Sequence, residues 1–97
     1  EIIGHAEVRD TFNSSKLGTI AGCYVTNGYV SHAAKIRLVR AGKIIYEGEV
    51  GSLKRFKDDV KEVKENYECG ISFKDYSDIL AKDEIEFYIT KQIQKEL

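Results

Sequence analysis

The chain has 97 residues, with 15 lysines and arginines, 16 aspartates and glutamates and a formal net charge of −1. This length suits one domain, which on folding buries roughly 60–65% of the surface that the unfolded chain exposes. Its 42% hydrophobic and 32% charged residues exclude a disordered chain, and the sequence has no apolar run near the roughly 20 residues that cross a bilayer. The near-neutral charge disfavours a general nucleic-acid binder, so such a partner would need a local basic patch.

The cysteines and the ends of the sequence indicate its setting. Cys23 and Cys69 lack the CxxC spacing of a zinc site, and no leader peptide is recognisable. We therefore expect reduced thiols and a cytoplasmic protein. The chain contains no methionine and begins within strand-like sequence, which predicts a domain excised from a longer protein.

The first part of the chain alternates apolar and polar residues, the pattern of half-buried strands. Ala6, Val8 and Phe12 are expected to share one face of the first strand. In the second strand the apolar residues occupy odd positions: Leu17, Ala21, Cys23 and Val25. Asn27–Gly28 is typical of a tight hairpin turn, so we expect the chain to reverse there.

Later segments repeat the same alternation. Residues 35–40 and 43–50 flank a turn at Ala41–Gly42, and two more alternating sets occupy 69–73 and 85–89. Six or seven short strands result, which predicts an all-β fold. We favour a closed antiparallel β-barrel of about six strands, because closure removes the exposed edges that invite aggregation.

We expect this barrel to form a single domain over residues 1–97, with residues 91–97 as a frayed or helical tail. The segment after Gly51 permits two interpretations. One helical face would carry Leu53, Phe56, Val60, Val63 and Tyr67. We favour instead a strand to about Phe56 after a bend at Gly51, followed by an irregular connection with a helical turn near Val60.

Motifs for catalysis are scarce. The sequence has no GxxxxGK[ST] phosphate loop and no GxGxxG, HExxH or GxSxG motif. His5 and His32 lie in different predicted segments without a cluster of ligand spacing, so no metal site is expected. Adjacent acids such as Asp58–Asp59 are typical of a solvated turn. The residues therefore favour a non-catalytic domain without a cofactor.

Three blocks of the sequence carry a resemblance to a known family. GTIAGCYVTNG, IYEGEVGSLKRFKDDVKEV and YECGI, in this order and spacing, resemble the C-terminal domain of bacterial translation initiation factor two, and the resemblance covers nearly the whole chain. It implies a six-stranded β-barrel similar to domain 2 of elongation factor Tu. It also implies a longer parent protein whose GTPase domain lies upstream.

The resemblance further implies a function in protein biosynthesis. The domain would be a non-catalytic module that recognises formylmethionyl initiator tRNA by its aminoacylated 3′ end. The ribosome would be contacted through the parent protein, with neither DNA nor a membrane as partner, and the domain would be a monomer. Carried over by position, the recognition residues are Cys23, Lys54, Arg55, Phe56, Lys57, Glu68, Cys69 and Gly70.

The sequence departs from the family pattern at two places. Family members commonly have tyrosine at the position of Phe56, so a hydrogen bond from a hydroxyl there is lost while stacking is retained. The turn before the last strand usually carries glycine, and Ala81–Lys82–Asp83 has none.

The basic cluster around Phe56 can be interpreted as a binding site or as an ordinary surface turn. Lys54, Arg55 and Lys57 supply positive charge where phosphates of a single-stranded 3′ end could lie, and Phe56 offers a flat face for a base or sugar. The alternative is a solvated turn. The same barrel could also dock on the ribosome or a protein without reading the aminoacyl end. A third alternative is a hydrolase that acts on the ester bond between the amino acid and the tRNA.

The second group of recognition residues, at positions 68–70, also permits two interpretations. Glu68 either accepts a hydrogen bond from the ligand or pairs with a nearby lysine at the surface. Gly70 either admits a ligand close to the backbone or provides a bend in the barrel. Cys23 and Cys69 are predicted to be small buried residues beneath the site rather than nucleophiles.

Overall fold

A computed structural model of the chain describes residues 2–16, 18–56, 58–74 and 76–89. Its strands are β1 (Ile2–Ser14), β2 (Gly18–Ser31), β3 (Lys35–Arg40), β4 (Lys43–Arg55), β5 (Asp58–Asp59), β6 (Glu62–Lys64), β7 (Glu68–Phe73) and β8 (Glu84–Tyr88). Within these described ranges no helix is long and apolar enough to cross a membrane. The tail predicted at residues 91–97 lies outside them.

Six of the strands close into an antiparallel barrel, which confirms the predicted fold class. They follow one another in the order β1-β8-β3-β4-β7-β2, and the pairing of β2 with β1 completes the ring. The short strands β5 and β6 pair with β4 and β2 outside this ring. Closure gives each of the six strands a partner on both sides, so the barrel itself has no open edge.

Alternation along the strands fills the barrel interior with apolar side chains. Of the odd positions that the pattern made apolar, Ala21, Cys23 and Val25 of β2 are fully buried, and Leu17 lies outside the described residues. The largest fully buried side chains come from β3, β4, β7 and β8: Ile36, Leu38, Leu53, Ile71, Ile85 and Phe87. Burial of such side chains supplies the main driving force for folding.

A partly buried ion pair between Arg40 and Asp83 lies beside this core. Asp83 is 2% exposed and accepts hydrogen bonds of 2.8 Å from Nε and from Nη2 of Arg40, and one of 2.9 Å from the Leu80 amide. Burial opposes ionisation of Asp83, but the Arg40 and Leu80 hydrogen bonds outweigh it and lower the pKa of Asp83. The preceding turn, which lacks the family's glycine, places Lys82 at φ +76°.

The hairpin predicted at Asn27–Gly28 is wrong. β2 continues through both residues to Ser31, and the register with β1 shifts there, leaving Thr26 as an extra residue. Gly28, two residues after this bulge, adopts φ +63° and pairs with Gly4. A left-handed glycine can therefore lie within a paired strand as well as in a turn, so the dipeptide alone did not distinguish them.

The core position predicted for Phe12 is also wrong, since its side chain is 58% exposed. Val8 pairs with Cys23, but the next pair is Asp10 with Gly22, so Arg9 is an extra residue in β1. One inserted residue exchanges the faces of everything that follows. Phe12 is thereby turned to the outside of the barrel.

The segment after Gly51 was predicted correctly as far as the end of β4. The register shifts between Val50 and Ser52, which confirms the bend, but the helical turn near Val60 is wrong. At Phe56 the chain turns with φ +59° and returns as β5, which pairs Asp58 with Arg55. The other predicted turn, Ala41–Gly42, is confirmed, with φ values of +53° and +81°.

Candidate functional site

A groove of about 640 Å³ lies on the barrel wall across β1, β2, β7 and β4. It contains seven of the predicted site residues: Cys23, Lys54, Arg55, Phe56, Glu68, Cys69 and Gly70. The eighth, Lys57, lies outside the described residues. Two segments that are distant in the sequence therefore meet in one surface feature.

The register of the sheet explains this meeting. Gly70 of β7 pairs with Lys54 of β4 on one side and with Gly22 of β2 on the other, and Gly22 pairs with Asp10 of β1. These four residues form one row across neighbouring strands. Because neighbouring strands lie about 4.8 Å apart, the row is about 14 Å wide from β1 to β4.

Two adjacent glycines, Gly22 and Gly70, form the floor of the groove. The β2–β7 register is unbroken through Gly70, and its φ lies outside the left-handed region. A Cβ atom there would meet Cγ2 of Ile20 at 3.4 Å and the Lys54 carbonyl oxygen at 3.9 Å, which are ordinary contacts. The fold therefore does not require glycine at position 70, and its effect is to expose backbone to an approaching group.

An apolar wall borders the floor on one side. Phe12 and Ile20 face each other as a cross-strand pair of β1 and β2. Cε2 of Phe12 would lie 3.2 Å from a Cβ atom at Gly22, so the ring stands against the glycine. This contact exists because the extra residue in β1 turned Phe12 outward.

A cluster of one cation and two rings lies at the β4 rim. The Arg55 guanidinium carbon is 5.1 Å from the ring centroid of Phe56 and 4.8 Å from that of Tyr67, the range of cation–π attraction. Nε of Arg55 is buried and has no hydrogen-bond partner among the residues that the structure describes. A buried donor without a partner is uncommon in folded proteins.

Phe56 is the most exposed large apolar side chain in the described ranges, at 89%. It also has a left-handed φ of +59°, which is unfavourable for a bulky residue. Lys54 beside it places Nζ 3.8 Å from Oδ1 of Asp59, a long ion pair at the surface that holds the lysine only weakly. An exposed ring on a strained turn fits a contact surface better than a stabilising role.

The remaining rim carries hydrogen-bonding groups. Tyr24 pairs with Glu68 across β2 and β7 and donates from its hydroxyl to Oδ1 of Asn66 at 3.1 Å. The Arg9 guanidinium lies 4.8 Å from the ring centroid of Tyr24. Glu68 is exposed and has no ion pair within the described part of the chain, so its carboxylate can accept hydrogen bonds from a ligand.

The two cysteines lie beneath the groove as a directly opposed pair of β2 and β7. Both are free and buried, and Sγ of Cys23 donates to the Ala21 carbonyl at 3.4 Å. Burial raises the pKa of Cys23 well above its ordinary value, with a further rise from Cys69. Burial raises the pKa of Cys69 to about 12, against the lowering effect of Arg55. Neutral buried thiols cannot act as nucleophiles, so these residues shape the floor.

Several groove residues were not predicted from the sequence: Arg9, Asp10, Phe12, Ile20, Gly22, Tyr24, Asn66 and Tyr67. Gly22 could have been predicted from the alternation of β2. It lies between two core positions, Ala21 and Cys23, and therefore faces outward. The β1 residues had no such signal, since the inserted residue in β1 reverses the apparent pattern.

Comparison with known proteins places the chain in a family. No protein-family profile matched it. It is 56% identical over 95 residues to translation initiation factor IF-2 of Geobacillus sp. (strain WCH70) and 53% identical over 95 residues to that of Bacillus cereus (strain AH187). Each alignment covers 98% of this chain. The chain belongs to the bacterial IF-2 family. It spans only 13% and 14% of the length of these two IF-2 proteins and matches a C-terminal part of them.

A solved structure supports the fold assignment of this IF-2 domain. GDP-bound aIF5B from Aeropyrum pernix superposes with a TM-score of 0.71 over 87% of this chain and 16% of that chain. The sequence identity is 16%, so the similarity shows a shared fold alone. The blocks that suggested IF-2 lie in β2, in the segment from β4 to β6, and in β7. Strands β2, β4 and β7 build most of the groove.

Proposed function

We propose that this IF-2 domain binds the aminoacylated 3′ end of formylmethionyl initiator tRNA in the groove. One observation carries the proposal: the segment 54–56 and the segment 68–70 lie side by side over a floor of two glycines. This arrangement combines cations, an exposed ring and open backbone within about 14 Å. A single-stranded nucleotide end with a small acyl group attached needs these three elements together.

Each part of the groove has a physical role in this proposal. The terminal base or sugar rests on Phe56, where stacking on an aromatic ring is worth about 1–3 kcal/mol per base. Arg55 and Lys54 supply positive charge beside the nucleotide end, and Glu68 accepts a hydrogen bond from a ribose hydroxyl or a base amine. The acyl group lies over Gly70, where a side chain would hold it away from the backbone.

Selectivity for the formyl group follows from charge. A free α-amine has a pKa near 7.7–8.0 and is mostly charged at neutral pH, whereas a formylated nitrogen is a neutral amide. Placing an unpaired ammonium over a partly apolar floor costs free energy. A difference of about 1.4 kcal/mol is already tenfold in affinity, so the missing charge and the methionyl side chain can be read together.

Binding rather than catalysis is the expected role. The thiols beneath the groove are buried with raised pKa values, so neither supplies a nucleophile for the ester. The parent protein is expected to hydrolyse GTP in another domain and to contact the ribosome, and the domain is expected to act as a cytoplasmic monomer. The rival proposals are a docking module that ignores the aminoacyl end and an esterase.

Spontaneous hydrolysis of the ester in formylmethionyl initiator tRNA tests these alternatives. We expect the 97-residue chain to slow this hydrolysis, because a bound ester is shielded from water. Phe56→Ala should remove the protection. Ile44→Ala, which changes an exposed residue of the β3–β4 hairpin outside the groove, should retain it. No protection would favour the docking module, and faster hydrolysis would indicate an esterase.

A further inference from the structure

Arg9 lies at the β1 rim of the groove, three strands away from the cations of β4, and the contacts proposed above do not use it. Its guanidinium rests on the ring of Tyr24 at 4.8 Å from the centroid, and the hydroxyl of that ring donates to Asn66. Nε of Arg9 donates to Oε1 of Glu7 at 3.2 Å. These contacts orient the guanidinium beside the groove.

Comparison with another arginine shows what is unusual about Arg9. Arg37 also lies over a tyrosine, at 4.4 Å from the ring centroid of Tyr88. Its Nε donates to Glu47 at 3.0 Å and its Nη1 to Glu86 at 2.9 Å, and its side chain is 25% exposed. Carboxylates on two sides thus satisfy Arg37 within the sheet.

Arg9 is held from one side only. Its side chain is 52% exposed, and Glu7 engages only Nε. Within the described ranges, its terminal nitrogens have no hydrogen-bond partner. Those two nitrogens form the planar fork that binds phosphate with two parallel hydrogen bonds. The structure therefore presents a phosphate-binding edge at the β1 rim.

The charges around Arg9 limit what it can bind. Glu7 and Asp10 flank it on β1, so the rim has no broad positive field and would repel an anion that does not reach the fork directly. A single phosphodiester, with one negative charge, fits this setting better than a run of duplex phosphates. The local ligand is then a short single strand that crosses the groove.

We propose that Arg9 binds the phosphodiester that joins the last two nucleotides of the acceptor strand. The proposal rests on the function proposed above and adds the direction in which the acceptor strand crosses the groove. The terminal nucleoside contacts the β4 rim at Phe56, and the strand leaves the groove over Tyr24 at the β1 rim. The aminoacyl group then lies on the glycine floor between the rims.

Two ligands that differ by one phosphodiester test this proposal. The first is N-formylmethionyl-adenosine with an amide in place of the labile ester, and the second is the same compound extended to cytidylyl-adenosine. We expect Arg9→Gln to weaken binding of the dinucleotide about fivefold at low salt, the size of one charge contact in water. Binding of the nucleoside should be unchanged.

Salt dependence supplies a second readout. Each phosphate contact of a single strand contributes about −0.7 to the slope of log affinity against log salt concentration. Wild type should show this difference between the two ligands, and Arg9→Gln should lose it. Arg37→Gln is the matched control, because it removes a stacked arginine outside the groove and should leave both affinities and the slope unchanged.

The outcomes separate the two proposals. If Phe56→Ala weakens both ligands but Arg9→Gln weakens neither, or weakens both equally, the β1-rim proposal is wrong while the proposed function stands. If wild type binds neither ligand, both proposals fall. A selective loss of dinucleotide affinity in Arg9→Gln, with loss of the slope difference, supports both.

Discussion

Replacing Gly70 by alanine should make the domain more stable while it binds its ligand less tightly. The new Cβ would meet Ile20 at 3.4 Å and the Lys54 carbonyl oxygen at 3.9 Å, so it fits without displacement, and the backbone there is not left-handed. Alanine in a strand interior is favoured over glycine by roughly 0.5–1 kcal/mol. For a domain of this size, 1 kcal/mol corresponds to an increase in Tm of about 4–8 °C.

The same methyl group would occupy the floor of the groove. One methylene of misfit in a binding pocket is worth about 1–3 kcal/mol, so affinity for the amide-linked formylmethionyl-adenosine should fall at least about fivefold. Thermal unfolding followed by circular dichroism and titration calorimetry with this ligand measure the two effects on the same preparation.

Gly42→Ala is a matched control with the opposite expectation. A Cβ at Gly42 has no atom within 4 Å among those described, but its φ is +81°. Alanine at such a φ should destabilise the domain by about 1 kcal/mol and leave binding unchanged, because the β3–β4 turn is outside the groove. A Gly70→Ala variant that loses stability, or that binds as well as wild type, would refute the view that this glycine serves the ligand.

Three further predictions concern charge and reactivity. Asp83→Asn should lower Tm by roughly 5–10 °C at pH 7 through loss of the Arg40 pair. Because the pKa of Asp83 is lowered in the folded protein, the pair stabilises the fold fully above the unfolded pKa, and this stabilisation is lost as pH falls through the folded pKa. Urea unfolding should therefore show a smaller difference between wild type and Asp83→Asn at pH 3 than at pH 7. Cys23 and Cys69 should react with a thiol reagent at pH 8 only after denaturant is added, and rapid labelling of the native protein would contradict their burial. The unformylated ligand should bind up to about tenfold more weakly at pH 7, the limit that deprotonation of an amine with a pKa near 8 allows, and should approach the formylated one as pH rises past 8. A gap independent of pH would exclude the charge mechanism.

Alternation of side chains was enough to predict the fold class and most strands. It assigned Ile71 and Phe87 correctly to the interior, because every residue of a regular strand alternates between two environments. It failed at Phe12, where one inserted residue at position 9 changed the face. Such a shift depends on pairing with a partner strand, which no local window of sequence contains.

The candidate site, like the fold, could be predicted from the sequence only in part. The segments around Phe56 and Gly70 were selected by resemblance to a family, and the register of β4 with β7 explains why they belong together. Tyr67 appeared to belong to a helical face and instead contacts Arg55 at the rim. Gly22 could have been found from alternation alone, whereas Arg9 and Phe12 required the structure.

The central claim, that the groove over Gly22 and Gly70 receives the aminoacylated end, is tested most directly by amide chemical shifts. Amide-linked formylmethionyl-adenosine would be titrated into the isotopically labelled domain. We expect the largest changes at the two glycines, at Phe56 and at Glu68, and small changes on β3 and β8. Changes clustered on β3 and β8, with the groove unperturbed, would contradict the account.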